Sequence, residues 1–303
     1  MKTGQIRQLL AGFYDVVTDD GKIYRTRARG NFRKKGISPL VGDIVDFQDD
    51  NQDEGYILAV HKRTNSLVRP PVANIDLAIM VTAAVEPDFS DNLLDRQLVA
   101  VEEMRIKPII YFTKTDLLSA EQFLKLEAIA SGYRAIGYPT FIPKEAFSVE
   151  SLTALSSEFT GNLSVFMGQT GAGKSTLLNH ILPELALATG EISQALNRGK
   201  HTTRMVGLHE INGGLVADTP GFSSYEVFNM PAQELTQFFP EFWQASEACR
   251  FRGCVHINEP GCVVKAKVDS GEFMKTRYNN YCDFYNLIIN QKPDYRKIKK
   301  VKK

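Results

Sequence analysis

The sequence predicts a multidomain α/β protein. An N-terminal OB-like β-barrel precedes a central, doubly wound, mostly parallel sheet, and a small helical domain built around a metal ion follows. Three observations predict this. Residues 1–70 read as short strands broken by glycine turns. Residues 71–228 alternate strands with helices around a glycine-rich loop. Residues 229–303 place three cysteines and one histidine within fourteen residues.

In the first region Phe13–Val17, Lys22–Arg29, Asp43–Phe47 and Tyr56–Val60 are the strand candidates, punctuated by Asp20-Gly21, Val41-Gly-Asp43 and Glu54-Gly55. Short strands in so small a unit suggest a barrel. Arg25, Arg27 and Arg29 alternate, so they share one face of their strand. A charged edge strand would give the same pattern. Contact with an RNA backbone is favoured because Arg33-Lys34-Lys35 extend the run.

Arg69-Pro70-Pro71 marks a stiff boundary. Beyond it come a strand at Ile75–Thr82, a helix at Asn92–Met104, a strand at Pro108–Thr113, a helix at Glu121–Ser131, a strand at Pro139–Ile142 and a helix at Ser151–Phe159. Strand Leu163–Met167 then leads into Gly168-Gln169-Thr170-Gly171-Ala172-Gly173-Lys174-Ser175, and helix Ser175–Leu182, with Thr176 in its first turn, leads out to Pro183. That is the phosphate-binding pattern G-x-x-x-x-G-K-[ST] between a strand and a helix. Its glycines let several N–H groups converge on phosphate oxygens, and the helix adds the positive end of its dipole. Lys174 reaches the β- and γ-phosphates and the Ser175 hydroxyl suits Mg²⁺.

Strands Thr203–Ile211 and Gly214–Asp218 follow, joined by an Asn212-Gly213 hairpin turn. Asp218-Thr-Pro-Gly221 fits the D-x-x-G element of GTPases, with Asp218 on the Mg²⁺ side and the Gly221 N–H near the γ-phosphate. Upstream, Thr202 and Thr203 compete to be the switch threonine on Mg²⁺, and Thr203 is favoured. Thr113-Lys114-Thr115-Asp116 ends a strand and matches [NT]-K-x-D. An aspartate there accepts from guanine N1–H and the exocyclic N2 amino group, which adenine does not offer, and the Lys114 stem lies over the base. In ordinary GTPases this base reader follows the phosphate loop. Here it precedes it, the order expected of a circular permutation.

Cys249-x₄-Cys254-x-His256-x₅-Cys262 suits a closed tetrahedral Zn²⁺ site, structural rather than catalytic because no position stays open. Leu235–Trp243 and Phe273–Ile289 look helical around it, and Cys282 is left over as a small apolar residue. No apolar run approaches the ~20 residues of a membrane span, and the N-terminus lacks a signal-peptide core, so a cytoplasmic chain is expected. Net charge is +1, yet Lys22–Lys35 holds seven basic residues and no acid, and Lys292–Lys303 holds seven against Asp294. Two basic patches on a near-neutral chain point to a local polyanion surface.

Together these motifs resemble the RsgA (YjeQ/YloQ) family, circularly permuted GTPases that depend on the small ribosomal subunit. The likeness runs through Val41-Gly-Asp43, Arg69-Pro70, Ala73-Asn-Ile-Asp76, the Thr113–Asp116 element, the phosphate loop, His201-Thr-Thr203, Asp218–Phe222 and the Cys/His cluster. It implies a GTP hydrolase, monomeric, that binds ribosomal RNA, assists late maturation of the small subunit and couples hydrolysis to release. Two departures stand out. Lys144-Glu145 lies nearest the place where the family has a Ser-Ala element touching the guanine oxygen. Phe222 stands where many GTPases place a water-orienting glutamine, and the resemblance offers His201 as the substitute. Two other readings stay open: an RNA-binding module with nucleotide as a structural ligand, and a phosphate-loop ATPase or kinase.

Overall fold

A computed structural model describes residues 1–30, 32, 36–49, 55–68, 70–185, 206–218, 228 and 230–291. It resolves into two compact units, Met1–Phe89 with Val101–Ser224, and Ser90–Ala100 with Tyr225–Lys303.

The first unit begins with the barrel: β1 (Lys2–Leu10), β2 (Phe13–Val17), β3 (Ile23–Ala28), β4 (Ile44–Gln48) and β5 (Gly55–Val60). The order is β2-β3-β5-β4-β1, and β1 pairs back onto β2 to close it. Ile6, Val16, Val45, Phe47 and Ile57 fill its interior with no exposed surface. Four of the five strands follow the sequence signals. β1 carries no such signal, because Lys2, Thr3, Gln5, Arg7 and Gln8 make it largely polar and its apolar residues, Ile6, Leu9 and Leu10, do not alternate cleanly. Glycine is required at position 4: a Cβ there would sit 2.7 Å from the Val17 carbonyl oxygen.

The motif Val41-Gly-Asp43 is the seam below the barrel. Asp43 has no exposed surface and takes a two-pronged pair from Arg63, Nε and Nη2 each at 2.7 Å, while the Leu40 N–H donates to it at 2.7 Å. Gly42, at φ 89°, lies against the Ala73 carbonyl, 2.2 Å from where a Cβ would be. Asn74 donates to the Gly42 carbonyl at 3.0 Å, and Asp76 accepts the Leu163 N–H at 2.8 Å. The motif Ala73–Asp76 therefore stitches the barrel to the sheet.

That sheet holds β6 (Leu77–Ala83), β7 (Lys107–Thr113), β8 (Thr140–Phe141), β9 (Leu163–Met167), β10 (Val206–Ile211) and β11 (Gly214–Ala217) in the order β10-β11-β9-β6-β7-β8. All pairings are parallel except β10 with β11, whose turn is Asn212-Gly213 as the sequence predicts. β10 also pairs with barrel strand β1, Gln8 opposite Gly207 and Leu9 opposite Val206, so barrel and central sheet form one eleven-stranded surface. β6, β7 and β9 are buried along nearly their whole length, the reason they read as continuous apolar runs. Helices α1 (Asp91–Glu103), α2 (Ala120–Ile136), α3 (Val149–Ser157) and α4 (Lys174–Ile181) connect them. A Ser119/Gln122 capping box starts α2 and Gly137 at φ 110° ends it.

The second unit packs α5 (Pro240–Ser246), α6 (Val263–Asp269) and α7 (Lys275–Ile289) with a 3-10 segment at Ala232–Phe238. Leu235, Phe239, Phe242, Tyr281 and Phe284 form its core with Val99 of α1. Arg277 is buried here between Asp95 and Glu241 at 2.6 and 2.5 Å, and Asn280 donates to Asp95 at 2.7 Å. The first turns of α1 thus belong to this unit, although α1 lies within the stretch 71–228 expected for the central domain.

Candidate nucleotide site, RNA face and metal cluster

The phosphate loop runs from β9 into α4 over the C-terminal ends of the parallel strands, where open α/β sheets bind ligands. Gly168, at φ 138°, lies on β6: a Cβ would fall 2.0 Å from the Val81 carbonyl oxygen. Gly171 and Gly173 also have positive φ, 83° and 84°. Lys174 folds back so that its Nζ donates to the Gly168 and Gln169 carbonyls at 2.8 and 2.7 Å. Burial pushes its ammonium down to about 8. Carbonyl oxygens hold the cation only as dipoles, so an arriving polyphosphate would replace them with full negative charge.

Thr113 lies beside this loop. Its hydroxyl donates to the Ala172 carbonyl at 2.7 Å, and Gly173 packs on it, its virtual Cβ 3.5 Å from Oγ1. Lys114 takes a left-handed backbone at φ 58° and its Nζ donates to the Glu86 carbonyl. Thr115 is buried and donates to the Pro143 carbonyl. Asp116 sits in the following 3-10 turn (Thr115–Leu117), exposed, with no side-chain partner among the described residues. Thr113–Asp116 and Gly168–Ser175, distant in sequence, are thereby joined.

Asp218 directly follows β11, the neighbour of β9. Its Oδ1 accepts the Gly207 N–H at 2.9 Å and its Oδ2 lies 3.4 Å from His209 Nε2. His201, Thr202, Thr203, Gly221 and Phe222 lie outside the described residues. A separate cleft of about 610 Å³ lies away from this site. Arg7, Asp76, Asn162 and Glu210 line it, at the N-terminal ends of β6 and β9.

On the barrel, Arg25, Arg27 and Arg29 are exposed on one face, with Thr26 buried between them. β3 is paired on both sides, with β2 and β5, so it is not an edge strand. The guanidinium carbons of Arg25 and Arg27 lie 5.5 and 4.1 Å from the centre of the Phe13 ring, and that of Arg29 lies 6.0 Å from Tyr56. Phe13 and Tyr56 are cross-strand partners of Arg27, and alternation within β3 alone could not reveal them. Arg33, Lys34, Lys35 and the tail Lys292–Lys303 lie outside the described residues.

In the second unit the ligand atoms of Cys249, Cys254, His256 and Cys262 all lie within 4.8 Å of one another. A tetrahedral ion at ordinary zinc bond lengths needs edges of roughly 3.3–3.8 Å, so the cluster fits one ion after a small contraction. His256 Nδ1 points inward, 3.3 Å from the Cys262 sulfur and 3.7 Å from that of Cys249. Burial pushes the Cys254 thiol up to about 12, raises the Cys262 thiol and lowers the His256 imidazole. The scaffold around it is specific. Burial works to raise the Glu259 carboxyl, but N–H donors from Val255, Ile257 and Asn258 hold it below its ordinary value. Tyr278 donates to the His256 carbonyl at 2.6 Å and Tyr281 to that of Val255 at 2.8 Å. Cys282 is half-buried and stands outside the cluster. No helix among the described residues is long and apolar enough to cross a membrane.

Comparison with known proteins agrees with this architecture. The family model of the RsgA GTPase matches residues 60–228 and that of the RsgA N-terminal domain matches residues 3–57. The chain is 58% identical over 297 residues to a protein of Limosilactobacillus reuteri named small ribosomal subunit biogenesis GTPase RsgA, covering 98% of this chain and 100% of that one. A protein of Pediococcus pentosaceus with the same name is 59% identical, covering 98% and 96%. Among solved structures, that of YloQ, a circularly permuted GTPase, superposes with a TM-score of 0.83 at 40% identity over 97% of both chains. That of YjeQ from Thermotoga maritima gives 0.83 at 29% identity, over 96% of this chain and 99% of the other. Likeness that runs from the first barrel strand past the metal ligands, with the base reader ahead of the phosphate loop, shows that this chain belongs to the RsgA family of GTP hydrolases.

Proposed function

We propose that this chain binds GTP with Mg²⁺ between Thr113–Asp116 and Gly168–Thr176. In this reading it docks on the small ribosomal subunit, assists its late maturation, and leaves after hydrolysing GTP to GDP and phosphate. The bond from Thr113 to the Ala172 carbonyl carries the proposal. It ties a base-reading element to a phosphate loop that follows it in the chain, as one guanosine pocket requires. The names of the relatives, small ribosomal subunit biogenesis GTPase, support the choice of partner.

The residues divide the work. Asp116 accepts from the guanine N1–H and N2 amino group. Lys174 leaves its carbonyl partners for the β- and γ-phosphates, and the N–H groups of the loop surround them. Ser175, Thr203 and Asp218 would hold Mg²⁺, which neutralises charge on the phosphate oxygens. His201 orients the attacking water, since no glutamine follows Asp218–Gly221. Gly221 donates to the γ-phosphate. Slow hydrolysis in the free chain follows, with a partner needed to complete the site.

Arg25, Arg27 and Arg29, backed by Phe13 and Tyr56, present cations and rings together, a surface suited to ribosomal RNA. Zinc is the ion assigned to Cys249, Cys254, His256 and Cys262, as a structural centre. The setting is a cytoplasmic monomer. The test is GTP turnover titrated with purified small subunits. Saturable stimulation supports the proposal, and turnover indifferent to subunits would favour an RNA-binding module that keeps nucleotide as a structural ligand.

A further inference from the structure

Residues 143–148, between β8 and α3, are tied down at three points. Thr115, next to Asp116, donates its hydroxyl to the Pro143 carbonyl. Ser148 caps α3 and closes a turn onto the Glu145 carbonyl at 3.3 Å. Between them Phe147 takes a left-handed backbone, φ 54°, and its ring stacks on His180 of α4 with centroids 4.1 Å apart and planes 16° from parallel. A bulky residue is uncommon in that backbone region and persists only where its surroundings hold it. The His180 ring is itself fixed: Nδ1 lies 2.8 Å from the Thr176 carbonyl, which accepts only if Nδ1 carries the hydrogen. The segment is thus slung between the base-reading turn and the helix that follows the phosphate loop. There it presents Lys144, Glu145 and Ala146, all exposed, with backbone N–H groups that no other described residue engages.

We propose that Phe147, clasped by His180, is a positioning residue for base selection. It holds the free amides of residues 144–146 toward the guanine O6 while Asp116 takes the N1–H and the N2 amino group. The proposal rests on Asp116 as the base reader. Guanine carries an acceptor at C6 where adenine carries a donor, so a wall of N–H groups accepts one and repels the other. On the phosphate side the clasp reaches only the Thr176 backbone carbonyl, through His180, and the apolar cluster that holds Ala172, while Phe147 belongs to the segment beside the base, so base selection is where its effect is expected.

The test is competition of GTP, ATP and xanthosine triphosphate against fluorescent GDP on the full chain. Phe147→Gly removes the ring and leaves a residue at ease in the left-handed region. GTP affinity is expected to fall about tenfold, the scale of one lost hydrogen bond, with ATP affinity unchanged. His180→Ala should do the same from outside the segment, and His180→Phe, which keeps a ring in the stack, should restore the preference. Parallel loss of GTP and ATP affinity, or an unchanged ratio in both Phe147→Gly and His180→Ala, overturns the proposal. Asp116→Asn separates the two levels. If it fails to move preference from GTP toward xanthosine triphosphate, the base-reader assignment falls and the clasp with it. If it succeeds while the Phe147 and His180 variants leave the ratio alone, only the clasp falls.

Discussion

Lys174 shows how much a single side chain can carry. Its position at the end of a glycine loop is written in the sequence, but its state without nucleotide is not. Buried against two carbonyls, it holds its proton less firmly than a free lysine, with the midpoint lowered to about 8. The unfolded chain binds that proton up to about pH 10.4, so it holds more protons than the folded chain between the two values. Stability of the nucleotide-free protein should therefore gain a contribution that rises with pH from about 8 to 10.4, absent in Lys174→Met; thermal melts across that range check it. The cation has to be present to meet phosphate, so GTP affinity should fall as pH climbs past about 8, and Lys174→Arg should flatten that fall. Thr113 makes a second case at this scale. Thr113→Val keeps its shape but leaves the Ala172 carbonyl without its donor, which costs about 1–2 kcal/mol and about tenfold in GTP affinity, readable by titration. The residue types at both positions are legible as motifs. The bond between them is not, because sequence separation says nothing about which strand ends become neighbours.

At the scale of elements, the strands of the central sheet were the easiest to read. β6, β7 and β9 are buried on both faces, so their apolar runs are continuous. β1 was the hardest. Its residues serve β2, β4 and β10 in turn, and backbone pairing rather than apolar alternation defines it. The first turns of α1 repeat the lesson, since Asp95 looks like one more surface acid on an amphipathic helix. It is fully buried, and it neutralises Arg277 together with Glu241. Arg277→Met should destabilise the second unit by about 3–5 kcal/mol by stranding two carboxylates, and Asp95→Asn with Glu241→Gln should recover much of it; urea unfolding of the full chain measures both. The metal cluster belongs here too. Its ligands are legible from spacing, whereas the Glu259 and Tyr278 supports are not, because they act on backbone groups. Chelation should release one zinc per chain and expose Phe239, Phe242 and their neighbours, seen as dye binding and faster proteolysis beyond Tyr225.

In the molecule as a whole the arginine face of the barrel and the candidate nucleotide elements share one continuous sheet, from β2 through β1 and β10 to β6 and β7. Charge on the barrel face should govern subunit affinity through counterion release. Replacing Arg25, Arg27 and Arg29 with Ala should weaken binding and shallow its salt dependence by roughly two to three charges' worth; affinity measured over a salt series checks this, and an unchanged slope would remove that face from the interface. By itself the sequence determined which residue patterns are present: a G-x-x-x-x-G-K-S loop, a T-K-x-D turn placed ahead of it, a D-x-x-G strand end, alternating arginines and a Cys/His set of four. Each is local, a few residues at fixed spacing whose geometry follows from one strand or one turn. Only the tertiary structure decided which distant residues meet: Thr113 with Ala172, Phe147 with His180, Arg277 with Asp95. Those contacts join residues from 33 to 182 positions apart. The order in which strands lie side by side fixes them, and local spacing along the chain does not encode that order.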